Sequence, residues 1–236
     1  MRSCYNLLVI NKQLRYPIID LMRVLAIVLM VIFHMFYDLT IFGFTNIDFQ
    51  QNKFWFGLPR FIVFLFLTCV GLSQQLSHKD AIDWSKFWKR WLKLVFFAFC
   101  VSATTYYLYP KNWIYFGTLH CIATVSLMAL PFRNNPKIAL AIGIAILVNR
   151  FVFQNVIDVW PYIKSMKSMD YIPYYPWVAI VLIAIFLHSK GFHKVSLDLG
   201  RNKTWIEWTS RNSLWIYILH QPIMYFLIFV FHKIIH

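Results

Sequence analysis

The chain is 236 residues long; 60% of its residues are hydrophobic, 19% are aromatic and only 14% are charged. Soluble domains carry about 25% charged residues, so this composition excludes a disordered chain, a coiled coil and a disulfide scaffold and disfavours a soluble globule. The formal net charge is +14, but the basic residues cluster between apolar runs. We therefore assign them to membrane topology and to contact with anionic headgroups, and we expect no nucleic-acid partner.

The apolar runs predict an all-α fold, a polytopic transmembrane helix bundle in which residues 1–236 form a single membrane-embedded domain. An apolar helix needs about 20 residues to cross the hydrocarbon core of a bilayer. Seven runs approach this length, and the predicted spans cover about residues 18–39, 54–76, 87–109, 113–131, 137–156, 174–188 and 212–232.

The distribution of Lys and Arg predicts the orientation of this bundle. Fourteen of these residues lie in the N-terminal tail and in alternate loops, whereas five lie in the loops and tail of the opposite side. Cytoplasmic loops of membrane proteins carry the excess of basic residues. With seven spans, the N-terminus is therefore expected inside the cytoplasm and the C-terminus outside it.

The first predicted span carries four polar side chains on one narrow stripe, Asp20, Arg23, His34 and Asp38. Arg23 is expected near the cytoplasmic surface and His34 in the outer half, about 16 Å further along the helix axis. Asp38 follows His34 by one turn, so we predict that its carboxylate orients the His34 ring as in a general-base pair. Asp20 and Arg23 are explained equally well by an inward-facing salt bridge or by a functional site.

Polar side chains in three other spans are expected at a similar depth. Arg60 follows Pro59 in the second span, His120 lies in the fourth, and His220 lies in the seventh. Each histidine taken singly is as consistent with a structural role as with a functional one. Three histidines from three helices favour a shared cavity, but no carboxylate or cysteine completes a ligand set by local spacing, so no metal is expected.

The segment before the sixth span is rich in proline and aromatic residues. The predicted loop at 157–173 ends in Asp170-Tyr171-Ile172-Pro173, and Tyr174-Tyr175-Pro176-Trp177 follow. Such a segment is typical of an anchoring belt at the membrane interface. It is equally consistent with a platform on which sugar rings stack, with Asp170 as a polar contact.

Five motifs, in order along the chain, resemble one known family. They are Asp20-Leu-Met-Arg23-Val-Leu-Ala26 with His34-Met-Phe-Tyr-Asp38, Phe64-Leu-Phe-Leu-Thr-Cys-Val-Gly71-Leu-Ser73, Tyr115-Phe-Gly117-Thr-Leu-His120-Cys-Ile-Ala123, Asp170-Tyr-Ile-Pro173 with Pro176-Trp177, and Ser213-Leu-Trp-Ile-Tyr217 with His220-Gln-Pro222. Together they resemble the heparan-α-glucosaminide N-acetyltransferase catalytic-domain family, including its compact bacterial members. The spacing of Arg23 and His34 is also similar to that of acyltransferase-3 type proteins.

The resemblance implies a membrane acyltransferase that moves acetyl from cytoplasmic acetyl-CoA, as co-substrate, to an amino sugar on the far side. In acyltransferase-3 type proteins the arginine and histidine of the first helix belong to the donor site, and we expect Arg23, with Asp20 and Arg60, to hold the donor here. Residues 39–53 contain no histidine, unlike the corresponding stretch of larger eukaryotic relatives, so acyl handling is expected of His34 or His120, with Asp38. The expected acceptor contacts are Asp170, Tyr171, Trp177 and His220.

A second class of function fits the same residues. Intramembrane His, Asp and Arg are also used in proton relays, so a small transporter or proton-coupled carrier is the alternative. No inverted repeat or matching pair of broken helices is visible, which favours the enzyme. We expect a multi-pass protein of the bacterial inner membrane. The acceptor, the acyl chain length and the formation of a homo-oligomer are left open by the sequence.

Overall fold

The computed structural model describes residues 15–77, 82–154 and 168–235. This part of the chain is all-helical, which confirms the predicted fold class. Its α-helices are α1 (Pro17–Ile41), α2 (Lys53–Ser77), α3 (Trp84–Leu108), α4 (Thr118–Ala129), α5 (Pro136–Phe151), α6 (Tyr174–Ser189), α7 (Lys203–Arg211) and α8 (Ser213–Ile235). Short 3₁₀ turns cover Leu130–Phe132, Phe192–Lys194 and Gly200–Asn202.

Four of these helices, α1, α2, α3 and α8, are long and apolar enough to cross a membrane. The predicted number of seven spans is not confirmed, because the remaining predicted spans correspond to shorter helices. α5 and α6 each have 16 residues, and α4 has 12 before its 3₁₀ extension. At 1.5 Å per residue, a 16-residue helix is about 24 Å long, less than the hydrocarbon thickness of about 30 Å.

Local signals explain where several helices begin. Pro17 and Pro136 occupy the first positions of α1 and α5, where a missing N–H costs nothing. The Asp83 side chain accepts a hydrogen bond from the Lys86 N–H and caps α3. The predicted start of the fourth span at 113 is five residues too early, since α4 begins at Thr118.

The helix α7 was not predicted from the sequence. It lies between the predicted spans 174–188 and 212–232, and it directly precedes α8. Ile206, Thr209 and Ser210 are buried on one face, whereas Trp205 and Trp208 are exposed on the other. Much of the predicted loop 157–173, with Lys164 and Lys167, lies outside the described residues, as do Arg2, Lys12 and Lys79.

Neighbouring helices run in alternating directions. Near the start of α1, Arg23 donates a hydrogen bond to Ser73 near the end of α2. Arg90, near the start of α3, donates to Ser77 at the end of α2. Asn149 near the end of α5 reaches the Tyr175 hydroxyl at the start of α6. The starts of α1 and α3 therefore lie at one end of the bundle, together with the end of α2. Arg23 also donates to Ser210, three residues before α8, so the start of α8 lies at the same end.

The core of the bundle lies where α2 and α6 approach each other. A Cβ atom at Gly71 would lie 2.6 Å from the Ala184 Cβ and 2.8 Å from the Val181 carbonyl oxygen. The absence of a side chain at Gly71 therefore permits this close contact. By contrast, no residue of α8 is fully buried, and one face of this helix exposes large apolar side chains such as Leu219, Phe226 and Leu227, as expected of a lipid-facing helix.

Candidate active site

A cavity of about 470 Å³ opens at the end of the bundle where α1 and α8 begin. Its described lining includes five basic residues and one carboxylate, and it continues along an apolar wall. The basic residues are Arg15, Arg23, Arg90, Lys93 and Arg211, and the carboxylate is Asp20. Phe66, Leu119, Ile122, Leu214 and Tyr217 line the apolar part. The cavity therefore offers a cationic mouth and an apolar channel, which suits a ligand with an anionic head and a long arm.

Arg23 is held at this mouth by neutral hydroxyls. Its guanidinium donates to the Ser73 hydroxyl at 2.9 Å and to the Ser210 hydroxyl at 3.0 Å. The Ser210 hydroxyl in turn donates to Asp20, whose ion pair is with Arg15 at 3.2 Å. Within the described residues, Arg23 has no ion pair with a carboxylate, so its charge is available to an anion. A direct salt bridge between Asp20 and Arg23, one of the two interpretations that the sequence allowed, is not formed.

Two histidines meet in the bundle interior, His34 of α1 and His220 of α8. Their ring centroids are 5.1 Å apart at an interplanar angle of 61°. His220 Nδ1 lies 2.7 Å from the Tyr217 carbonyl oxygen. Because a carbonyl only accepts, Nδ1 carries the proton and Nε2 has the free lone pair. Neither His220 Nε2 nor His34 Nδ1, both buried, has a hydrogen-bond partner in the described part of the chain.

Asp38 contacts Gln221 in the structure. The Gln221 amide nitrogen donates to both carboxylate oxygens of Asp38, at 2.9 and 3.2 Å. The predicted orientation of the His34 ring by Asp38 remains a prediction, since the hydrogen bonds found at the carboxylate come from α8. Gln221 was not singled out in the sequence; its position directly after His220 was the available signal.

His120 lies apart from the histidine pair and uses both of its ring nitrogens. Nδ1 accepts a 3.2 Å hydrogen bond from the Gly117 N–H, which caps the start of α4. Nε2 therefore carries the proton and faces the Ser102 hydroxyl at 3.2 Å. The structure thus brings His34 and His220 together and places His120 against Ser102. These contacts do not join His120 to the pair, so the shared cavity of three histidines and the catalytic role of His120 stay predictions.

Arg60 does not line the basic cavity. It is exposed, donates to the Phe56 carbonyl and places its guanidinium 3.7 Å from the centre of the Phe56 ring. On α2 it precedes Ser73 by 13 residues, about 20 Å along the axis. Arg60, which was predicted to belong to the donor site, therefore lies most of the length of α2 away from Arg23.

The predicted acceptor residues before α6 have different surroundings. The Asp170 carboxylate accepts hydrogen bonds from the Thr118 N–H at 3.1 Å and the Thr118 hydroxyl at 3.3 Å, at the start of α4. Burial raises the pKa of the Asp170 carboxyl, and the hydrogen bonds from Thr118 oppose this shift. Tyr171 is exposed beside the Tyr115 ring, whereas Trp177 packs against the core.

Tyr217 connects the basic cavity with the histidine pair. It lines the apolar part of the cavity, and its ring centre is 5.9 Å from that of His220 and 6.1 Å from that of Phe66. The apolar part of the cavity therefore borders the turn of α8 that precedes His220. In residues 15–77, 82–154 and 168–235, no group of three or more His, Cys, Asp or Glu side chains is arranged to hold a metal ion.

Apolar helices enclosing intramembrane arginine, histidine and aspartate define an integral membrane protein with an internal polar site. Residues 15–222 match the family model described as heparan-alpha-glucosaminide N-acetyltransferase, catalytic. The chain belongs to this family, which confirms the resemblance seen in the sequence, and the membership supports membrane acetyltransferase activity. Comparison with curated proteins and comparison with solved structures give no match.

Proposed function

We propose that the protein transfers acetyl, or another acyl group, from cytoplasmic acyl-CoA to an amine or hydroxyl of an extracytoplasmic sugar or glycan. The observation that carries this proposal is the cavity with a cationic mouth and an apolar wall, whose lining residue Tyr217 contacts His220 of the histidine pair. Family membership supports the class of reaction. The location we propose is the bacterial inner membrane, with the cavity mouth on the cytoplasmic side.

The mouth of the cavity suits the phosphates of CoA. The guanidinium groups of Arg23 and Arg90 are planar donors of the kind that bind phosphate oxygens in pairs, and Lys93 and Arg211 add further positive charge. The volume of about 470 Å³ lies within the range of about 300–1,000 Å³ usual for small-molecule sites. The two hydroxyls that hold Arg23 are neutral, so they position the guanidinium without neutralising it.

The length of α1 suits the arm of the donor. Arg23 and His34 are eleven residues apart, which corresponds to about 16 Å along the helix. A pantetheine arm has a comparable length. Acyl-CoA held by its phosphates at the mouth would therefore place its thioester at the level of the histidines. The apolar wall of Phe66, Leu119 and Leu214 would exclude water along this path.

The chemistry assigned to the histidine pair is proton transfer. The acceptor nitrogen or oxygen forms a bond to the acyl carbon, and the carbon–sulfur bond of the thioester breaks. The proton lost by the acceptor passes to a histidine and then to the departing CoA sulfur, giving the amide or ester and the free thiol. His34 is the base predicted from the sequence, and His220 is supported by its unpartnered Nε2 lone pair.

The decisive experiment measures thiol release from acetyl-CoA by protein purified in lipid nanodiscs, with glucosamine, glucose and N-acetylglucosamine as trial acceptors. We expect acceptor-dependent thiol release together with an acetylated product detected by mass spectrometry. Absence of acetyl-CoA consumption with a broad glycan panel, combined with proton-coupled uptake into liposomes, would show that the protein is a transporter and refute the proposed acyltransferase function.

A further inference from the structure

Asp38 is a buried carboxylate near the end of α1. It is 1% exposed, and within the described residues it forms no ion pair. The two hydrogen bonds from the neutral Gln221 amide are its polar contacts. A carboxylate inside a membrane protein is costly when unpaired. A bound cation would balance the negative charge of this site.

The groups around Asp38 also have more acceptors than donors. The Gln221 amide must present its NH₂ group to the carboxylate, so its Oε1 is left as an acceptor, and this buried atom has no partner in the described chain. His220 Nε2 is a second acceptor without a partner. Buried polar atoms without partners are rare in folded proteins. A ligand that donates several hydrogen bonds would satisfy these two acceptors and the Asp38 carboxylate.

Resting on the proposed function, we propose that Asp38 and Gln221 form an ammonium-binding subsite that holds the amino group of the acceptor. A primary ammonium has one positive charge, three N–H donors and no acceptor, which matches the surplus at this site. A sugar hydroxyl has one donor and no charge, so it would leave Asp38 unpaired. The subsite therefore selects an amine acceptor over a hydroxyl acceptor.

Tyrosines extend the subsite towards the end of the bundle where α3 finishes. Tyr109, which follows the last residue of α3, lies near Tyr225 of α8, Tyr37 and Asp38. Aromatic faces attract ammonium groups by cation–π interactions. An amino sugar entering from this end would thus meet aromatic rings and hydroxyls before its ammonium reaches Asp38, opposite to the entry of the acyl donor.

Gln221, which contacts Asp38, directly follows His220 in α8, so an acceptor nitrogen bound at Asp38 would lie at the turn of α8 that carries the base. An ammonium bound to Asp38 loses one proton to His220 Nε2, and the proton passes on to water, which leaves the neutral amine that attack on the thioester requires. The transfer then proceeds as described above, with amide and CoA thiol as products. Gln221 does not take part in bond changes; it is a positioning residue for the carboxylate and a hydrogen-bond acceptor for the ammonium.

The test is equilibrium binding in the absence of any acyl donor. Protein in zwitterionic lipid nanodiscs is titrated with glucosamine, glucose and N-acetylglucosamine, and binding is followed by ligand-observed saturation-transfer NMR. We expect glucosamine to bind about tenfold or more tightly than either neutral sugar, because it alone forms a charge-assisted pair. Asp38→Asn should abolish this preference, and Gln221→Ala should weaken glucosamine binding by about tenfold.

Matched controls and opposing outcomes keep the result unambiguous. Asp48→Asn and Gln51→Ala alter exposed residues of the segment after α1 and should leave the preference intact; circular dichroism and elution as a single species check the fold of every variant. Equal affinity for glucosamine and glucose would overturn the subsite. Displacement of glucosamine by millimolar Na⁺ or K⁺, together with unchanged glucosamine binding in Asp38→Asn, would overturn it as well. Thiol release that persists without an amine preference would refute the subsite alone, whereas amine binding without acetyl-CoA consumption would refute the proposed function alone.

Discussion

Arg23 and Ser210 are joined by a 3.0 Å hydrogen bond although 187 residues separate them in the sequence. The bond attaches α7 to the start of α1, and the same hydroxyl donates to Asp20. One serine thus separates an arginine from a nearby carboxylate that would otherwise neutralise it. An arginine kept unpaired at the mouth of a cavity is suited to bind an anion.

Replacing Arg23 by alanine should weaken donor binding. Loss of one charge-assisted contact to phosphate costs about 1.5–3 kcal/mol, which corresponds to about a ten- to hundredfold rise in the Kd of CoA. Isothermal titration calorimetry with CoA measures this directly. Arg150→Ala, which removes an arginine at the end of α5 beside Phe151, is the matched control and should leave the Kd unchanged. Equal Kd values for wild type and Arg23→Ala would show that the phosphates bind elsewhere.

Replacing His34 or His220 by alanine should slow acyl transfer. Removing a general base typically lowers the rate by about 10²–10⁴-fold, and the two rings are in contact at 5.1 Å between centroids. Steady-state thiol release gives kcat for each variant, and the double variant should lose little more than the stronger single one because the two residues act together. Near-wild-type kcat in both single variants would remove the histidine pair from the mechanism.

Replacing His120 by alanine separates capping from catalysis. The ring accepts from the Gly117 N–H and faces the Ser102 hydroxyl, so its loss leaves buried polar groups without partners. We expect a destabilisation of about 1–3 kcal/mol and a lower Tm, with kcat of the folded fraction nearly unchanged. If kcat fell by about 10² or more while the Tm held, the catalytic role predicted from the sequence would stand instead.

The sequence predicted the polar stripe of α1 well because helical periodicity alone places Arg23 and His34 on one face. It could not predict their partners. Ser210 lies in α7, a nine-residue helix with several polar side chains, which hydropathy does not distinguish from a loop. Gln221 is joined to Asp38 across 183 residues of sequence, and a glutamine carries no charge that would mark it. Tertiary packing determines both pairings.

The boundary of α4 shows the same limit in a different form. The apolar run from 113 predicted an earlier start, but Gly117, His120 and Asp170 together begin the helix at Thr118. The Asp170 carboxylate arrives from a segment 52 residues later. A helix start that depends on so distant a residue is not encoded in local composition.

Substitution of Gly71 tests the contact between α2 and α6. In Gly71→Ala the new Cβ would lie 2.8 Å from the Val181 carbonyl oxygen, a backbone atom that cannot move without shifting the helix. Overpacking of this kind costs about 1–3 kcal/mol, so the Tm should fall. Gly57→Ala, also within α2 but with no atom within 4 Å of its new Cβ, is the matched control. An unchanged Tm for Gly71→Ala would mean that the two helices pack less closely than described.

The orientation of the bundle can be decided with reporter fusions. The basic mouth at the start of α1 and the alternating helix directions place the residues after α2, α4 and α6 at the end of Arg23, and the end of α8 at the opposite end. Since basic residues mark the cytoplasmic side, alkaline phosphatase fused after Lys233 should be active, and the same reporter fused after Asn135 should be inactive. A fluorescent protein that folds only in the cytoplasm should give the reverse pattern at both sites. Activity of the phosphatase after Asn135 but not after Lys233 would invert the membrane orientation and place the basic cavity outside, where acyl-CoA is not supplied.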